Sequence, residues 1–131
     1  MILDSSALVA ILRGEPEGPG LLRALAAADS VALSAATYLE TAIVVDANRD
    51  SVLSEQLDEF IGRFNIEIAA VTEAEARLAR RAYRNFGRGS GHPARLNFGD
   101  CFAYALSKTA GEPLLFKGDD FFHTDVESAL K

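Results

Sequence analysis

The sequence predicts an α/β fold: a mainly parallel central sheet of four to five short strands, held in three layers between helices. Three observations predict it. Short apolar runs alternate with longer segments in which apolar side chains recur every three or four residues. The runs are apolar throughout, as strands covered on both faces are, and do not alternate apolar with polar. Acidic residues stand where these runs end, the edge of an open parallel sheet at which sites form.

The elements follow in order. Residues 1 to 4 read as a buried strand closed by Asp4, and Ser5 to Leu12 as a helix with a hydroxyl at its start. Gly14, Pro16, Gly18, Pro19 and Gly20 then interrupt regular structure, so the second helix is read from Leu21 to Ala28. Val31 to Leu33 is the second strand. Ser34 caps a helix running to about Asn48, and Asp50 or Ser51 caps another with Val52, Leu53, Leu57, Phe60, Ile61 and Phe64 at helical spacing. Ile66 to Val71 holds the third strand. Thr72 and Glu75 form a capping-box pattern that opens an arginine-rich helix. Three glycines and a proline make 87–97 a loop, and Asn97 caps the last long helix, which ends at Gly111. Leu114 to Phe116 is the fourth strand, and Thr124 to Val126 is read as a short fifth.

At 131 residues the chain is read as one domain, residues 1–131, without a linker. An apolar fraction of 49% with 24% charged residues excludes a disordered chain. No apolar run reaches the roughly 18 residues of a membrane span. Met1 leads straight into a strand, which leaves no room for a signal peptide, so a cytoplasmic location is expected. The single cysteine, Cys101, permits no internal disulfide and is expected to fill space in its apolar helix. The net charge of −6 argues against a nucleic-acid partner until its distribution is considered. Six arginines, Arg77, Arg80, Arg81, Arg84, Arg88 and Arg95, lie in a stretch from 77 to 99 that contains no acid. A basic strip beside an acidic centre suits a phosphodiester, with arginines on phosphates and acids on a cation; a solvated helix face is the plainer explanation.

The acids that stand out are Asp4, Glu40, Asp100 and the pair Asp119-Asp120. Each has a local explanation. Asp4 can cap its helix, Asp100 stands three residues after Asn97 where a carboxylate favours a helix start, and turns attract aspartate. Glu40 shares a helix face with Ala36, Ile43 and Val44 and would need an arginine from elsewhere. Brought together, the same carboxylates form an oxygen-only site suited to Mg²⁺ or Mn²⁺ and not to zinc. His92 and His123 lack a serine or cysteine partner for a catalytic triad.

The segments ILDSSALVAIL, SAATYLETAIVV, LNFGDCFAYALSK and LLFKGDDFFHTDV resemble the PIN-domain ribonucleases, specifically the VapC-type toxins of bacterial VapBC toxin-antitoxin pairs. The resemblance spans nearly the whole chain, with the acids in the family's order. It implies a PIN-domain-like three-layer fold and a Mg²⁺-dependent endoribonuclease in which Mn²⁺ can substitute. It also implies a homodimer, a VapB-type antitoxin, an RNA substrate in transfer or ribosomal RNA loops, and contact with DNA only through the antitoxin. Asp4, Glu40, Asp100 and Asp120 correspond to the catalytic acids, and Asp4 and Asp100 to the principal metal ligands. Ser6 matches a supporting position beside the first acid, and Asp119 remains an alternative to Asp120. Arg84, Arg88 and Arg95 are the candidates for RNA contact.

Two other acid-pocket folds fit poorly. A phosphoacceptor domain needs an acidic pair after the first strand and an aspartate after Ile68 to Val71, and neither is present. A haloacid-dehalogenase-like phosphatase needs an aspartate where Ser6 stands. The non-enzymatic alternative is a catalytically silent PIN-like module that acts through a partner protein.

Overall fold

The computed structural model describes residues 1–47 and 51–130. In chain order these form β1 (Ile2–Leu3), α1 (Ser5–Leu12), α2 (Gly18–Ala27), β2 (Ala32–Ser34), α3 (Ala35–Ala47), α4 (Ser51–Arg63), β3 (Glu67–Ala69), α5 (Glu73–Phe86), α6 (Phe98–Ala110) and β4 (Leu114–Leu115), then a 3₁₀ turn (Asp120–His123). The four strands are parallel in the order β3-β2-β1-β4, with Ile2 opposite both Ala32 and Leu114. No helix among the described residues is long and apolar enough to cross a membrane.

Successive strand residues point to opposite faces of the sheet, and this divides the core in two. Ile2 and Leu114 pack with Leu96, Ala103 and Tyr104 on the face covered by α5 and α6. Leu3 and Leu115 pack with Leu8, Leu21, Leu33 and Leu57 under α1 to α4. The three layers are therefore the predicted ones, built on strands only two or three residues long.

Three of the expected caps are present. The Ser34 hydroxyl accepts from the Ala36 N–H at 3.2 Å, and Thr72-Glu75 and Asn97-Asp100 each close a reciprocal capping box. Gly111 ends α6 at φ +66°, a left-handed conformation that favours glycine. Three boundaries differ from expectation. α2 starts at Gly18 and not at Leu21, because a proline in the first helical turn lacks an N–H that has no partner there anyway. β3 ends at Ala69, short of Val71. Thr124 to Val126 is not a strand: the Thr124 hydroxyl donates to the Phe121 carbonyl at 2.7 Å and accepts from the Val126 N–H at 3.3 Å, which turns the backbone. The chain rejoins the sheet two residues later through one bridge between Leu114 and Ser128. The expected helix end at Asn48 and the alternative cap Asp50 lie outside the described residues.

Because all strands run the same way, the ends of β1, β2 and β4 share one edge. Asp4 follows β1 directly, and its N–H donates to the Leu115 carbonyl at 3.0 Å. α3 leaves β2 from that edge and packs against α6. The turn from Lys117 to Asp120 leaves β4 there too.

Candidate active site

Asp4 is 1% exposed and uses its two oxygens differently. Oδ2 caps α1, accepting from the Ser6 N–H at 3.0 Å and the Ser6 hydroxyl at 2.6 Å. Oδ1 is buried and has no hydrogen-bond partner. The capping and ligand readings of Asp4 are thus compatible, one for each oxygen. Ser6 Oγ also accepts from the Lys117 N–H at 3.0 Å, which ties α1 to the exit of β4 and leaves the hydroxyl proton directed at Asp4. Lys117 itself pairs with Glu15 and Glu17.

Asp100 repeats the arrangement. Oδ2 accepts from the Asn97 N–H at 3.0 Å while its own N–H donates to Asn97 Oδ1 at 2.8 Å. Oδ1 receives no hydrogen bond among the described residues. Glu40 projects from α3 toward the first turn of α6, where a Cβ placed on Gly99 would stand 1.9 Å from Oε2. Its Oε1 is buried and unpartnered, and among the described residues no cation pairs with it.

These carboxylates act on one another. Burial, followed by the charges of Asp100 and Glu40, outweighs the Ser6 hydrogen bonds and pushes Asp4 from 3.8 up to about 7. Burial raises Asp100 to about 6; the Asn97 N–H opposes this, Glu40 and Asp120 add to it, and Arg88 offsets part. Desolvation and like charge both disfavour ionised carboxylates, and the charge of Arg88 offsets only part of this at Asp100. Among the described residues, no three Asp, Glu, His or Cys side chains are drawn close enough to form a ready-made metal cluster. The donor set still fits a hard divalent cation: the donors are all oxygens, two are buried without partners, and Mg²⁺ binds through one or two carboxylates while retaining water.

A PIN domain model matches residues 1–127. The chain is 57% identical over 130 residues to VapC ribonuclease Mb0625 of Mycobacterium bovis and equally to ribonuclease VapC28 of Mycobacterium tuberculosis, covering 99% of this chain and 98% of each relative. This chain is a PIN-domain protein of the VapC family. Among solved structures, Mycobacterium tuberculosis VapC20, described as a sarcin-ricin loop cleaving toxin, superposes with a TM-score of 0.75 at 17% identity over 95% of both chains. A toxin-antitoxin complex from Klebsiella pneumoniae gives 0.67 at 16% identity, over 92% of this chain and 88% of that one. At such identities these two speak for the PIN fold alone.

Within that fold, Asp4, Glu40, Asp100 and Asp120 lie within electrostatic reach of one another through Asp100. Asp119 differs: it precedes the 3₁₀ turn, and its carbonyl accepts from the Phe122 N–H at 3.0 Å. The charge of Arg88 acts on Asp100. Arg84 and Arg95 are exposed, at the end of α5 and in the following loop. His92 has a local role, its Nδ1 accepting from the Ala94 N–H at 3.1 Å and its ring edge meeting Phe86. Cys101 is buried, and burial followed by the Asp100 charge pushes its thiol up to about 11, so it is a filler and not a nucleophile. Gly99 escaped the sequence reading; the available signal was a glycine in the first turn of a helix, where it weakens the helix unless something needs the space.

Proposed function

We propose that this chain is the toxin of a type II toxin-antitoxin pair, a Mg²⁺-dependent endoribonuclease that also accepts Mn²⁺ and cuts structured RNA at transfer or ribosomal RNA loops. The observation that carries the reading is that Asp4, Glu40, Asp100 and Asp120 lie within electrostatic reach of one another, with an oxygen of Asp4 and one of Glu40 buried without a partner and, among the described residues, no ion pair to any of the four. Asp4 and Asp100 would hold the ion, since the helix cap of each engages Oδ2 and leaves the other oxygen available. When bound, the ion supplies a more acidic water and positive charge beside the scissile phosphate. Glu40 and Asp120 accept hydrogen bonds from water at the site and orient it. Ser6 holds Asp4 in place. The water oxygen bonds to phosphorus, the bond to the 3′ oxygen breaks, and that oxygen takes a proton, giving a 5′-phosphate and a 3′-hydroxyl. Arg88 holds the RNA backbone beside Asp100, with Arg84 and Arg95 along the same strand. Unpaired loops suit such a site, because their phosphates can approach a recessed centre.

The homodimer has a candidate face. Phe98, 77% exposed, joins Phe102 with Leu39 and Ile43 in an apolar groove of about 430 Å³, and an adjoining groove continues onto Ala76 and Tyr83 of α5. Continuous exposed apolar surface of this kind marks an interface, and a second copy covers both grooves with like surface. A separate cleft between α1 and α4 offers Ile11, Leu12 and Phe60 beside Glu59 and Arg63, a mixture suited to an antitoxin segment. The complex acts in the cytoplasm, where the antitoxin supplies any contact with DNA.

The silent-module reading draws support from the lack, among the described residues, of a ready-made three-ligand cluster. Purified protein and Asp4→Asn, incubated with a loop-containing RNA and Mn²⁺ or EDTA, separate the two. Metal-dependent cleavage that leaves 5′-phosphates and is lost in Asp4→Asn supports the enzyme. Products ending in 2′,3′-cyclic phosphate contradict the water mechanism, and failure to bind Mn²⁺ favours the silent module.

A further inference from the structure

We propose that Gly99 is a positioning residue for the metal site: its missing side chain is the seat of the Glu40 carboxylate. The inference rests on the metal-dependent reading above and assigns a role to a residue which that reading leaves out.

The geometry is specific. A Cβ built on Gly99 would meet only Glu40 among its three nearest atoms: Oε2 at 1.9 Å, Cδ at 2.4 Å and Oε1 at 2.7 Å. Contacts below 3 Å do not occur at real Cβ atoms, so any side chain at position 99 moves the carboxylate. The space open beside it, the groove of about 430 Å³, is apolar and offers a displaced carboxylate no hydrogen-bond donor. Ala36, Ile43 and Val44 of α3 and Phe98 and Phe102 of α6 surround it with apolar surface, and Oε1 is already buried without a partner. The chain also pays for the arrangement locally, since glycine inside a helix is less favourable than alanine and φ at Gly99 is not left-handed. Backbone conformation therefore gives no reason for glycine here; the carboxylate does. Gly99 is the second residue of α6, so the seat lies at the positive end of the helix, one residue from Asp100. Substitution at 99 displaces Glu40, whose atoms are the three nearest to the added Cβ, before it reaches the Asn97-Asp100 capping box, which makes the effect separable from damage to α6.

A double-mutant cycle tests this. Mn²⁺ affinity, from the electron paramagnetic resonance of free Mn²⁺, and urea unfolding in EDTA are measured for wild type, Gly99→Ala, Glu40→Ala and the double variant, with Asp4→Asn as the control for the site itself. Gly99→Ala is expected to weaken Mn²⁺ binding about tenfold and to lower the urea midpoint. In the Glu40→Ala background, where no carboxylate occupies the seat, the same substitution should leave Mn²⁺ affinity unchanged and should raise the midpoint, as alanine normally does in a helix. Equal losses in both backgrounds would show that position 99 acts through α6 and not through Glu40, and would overturn the inference while leaving the metal site standing. Unchanged Mn²⁺ affinity in Gly99→Ala would overturn it as well. If wild type and Asp4→Asn bind Mn²⁺ alike, the metal-site reading itself fails, and this inference with it.

Discussion

Replacing Asp4 by asparagine should stabilise the metal-free protein while disabling its site. The wild-type carboxyl titrates at about 7 in the fold against 3.8 when unperturbed, chiefly because it is buried. Between those values the folded state binds more protons than the unfolded chain, so stability falls as pH rises through the window and levels off above it. The displacement corresponds to roughly 4 kcal/mol of lost stability at about pH 8, at ~1.4 kcal/mol per pH unit. Asparagine keeps an oxygen to accept from the Ser6 N–H and hydroxyl, and its amide can donate from the position where Oδ1 has no partner. Weaker hydrogen bonds from Ser6 to a neutral acceptor offset part of the gain, leaving a net ~2–3 kcal/mol. For a chain of this length that raises Tm by roughly 6–12 °C. Urea unfolding in EDTA, at intervals from about pH 4 to pH 8, checks the size and the sign together. The two curves should cross at about pH 5, with wild type the more stable below it and the variant above it, the gap opening as pH rises toward 8. Destabilisation by Asp4→Asn at pH 8, or a wild-type stability that does not change between pH 5 and pH 8 relative to the variant, would refute the reasoning.

Other expected outcomes follow from single contacts. Thr72→Ala removes the hydroxyl that accepts from the Glu75 N–H at 3.1 Å and should cost about 1 kcal/mol in urea unfolding with RNA cleavage unchanged. Arg88→Ala removes the cation that lowers Asp100, so the Asp100 carboxyl should titrate above about 6 by NMR, and the salt dependence of RNA binding should lose about one unit of slope. Phe98→Asp puts a charge in the exposed apolar groove and, on the homodimer proposed above, should give a monomer in sedimentation velocity without changing the circular dichroism. Leu8→Ala opens a cavity under β1 and should cost about 2–5 kcal/mol.

What the sequence made legible was whatever rests on local chemistry. The Thr72-Glu75 and Asn97-Asp100 spacings contain their own capping geometry, and both formed as boxes. The apolar runs fixed the three layers because a strand of two residues, such as Ile2–Leu3, has to be covered on both faces. Asp4 at the end of β1 and Asp100 at the start of α6 were expected at one sheet edge from the order of elements, whereas nothing in the order of elements placed Glu40, within α3, beside them. Relations across elements were not legible. That Glu40 rests on Gly99 depends on how closely α3 approaches α6, and no spacing within either helix contains that distance. The division of labour between the two oxygens of Asp4 depends on Lys117 reaching Ser6 from 111 residues away. Three arginines looked equivalent in one basic stretch, and no spacing within it told that the charge of Arg88 would act on Asp100. The misread fifth strand reflects a competition that Thr124 wins by bonding its hydroxyl to nearby backbone.

The central claim is that the acids at the sheet edge cut RNA with the help of a divalent cation. The most direct test induces the protein and Asp4→Asn in a bacterium and sequences RNA 5′-monophosphate ends before growth slows. The account predicts a sharp new end within a loop of one structured RNA, present with the wild-type chain and absent with Asp4→Asn. The same end appearing with Asp4→Asn, or none appearing while soluble wild-type protein arrests growth, would contradict it.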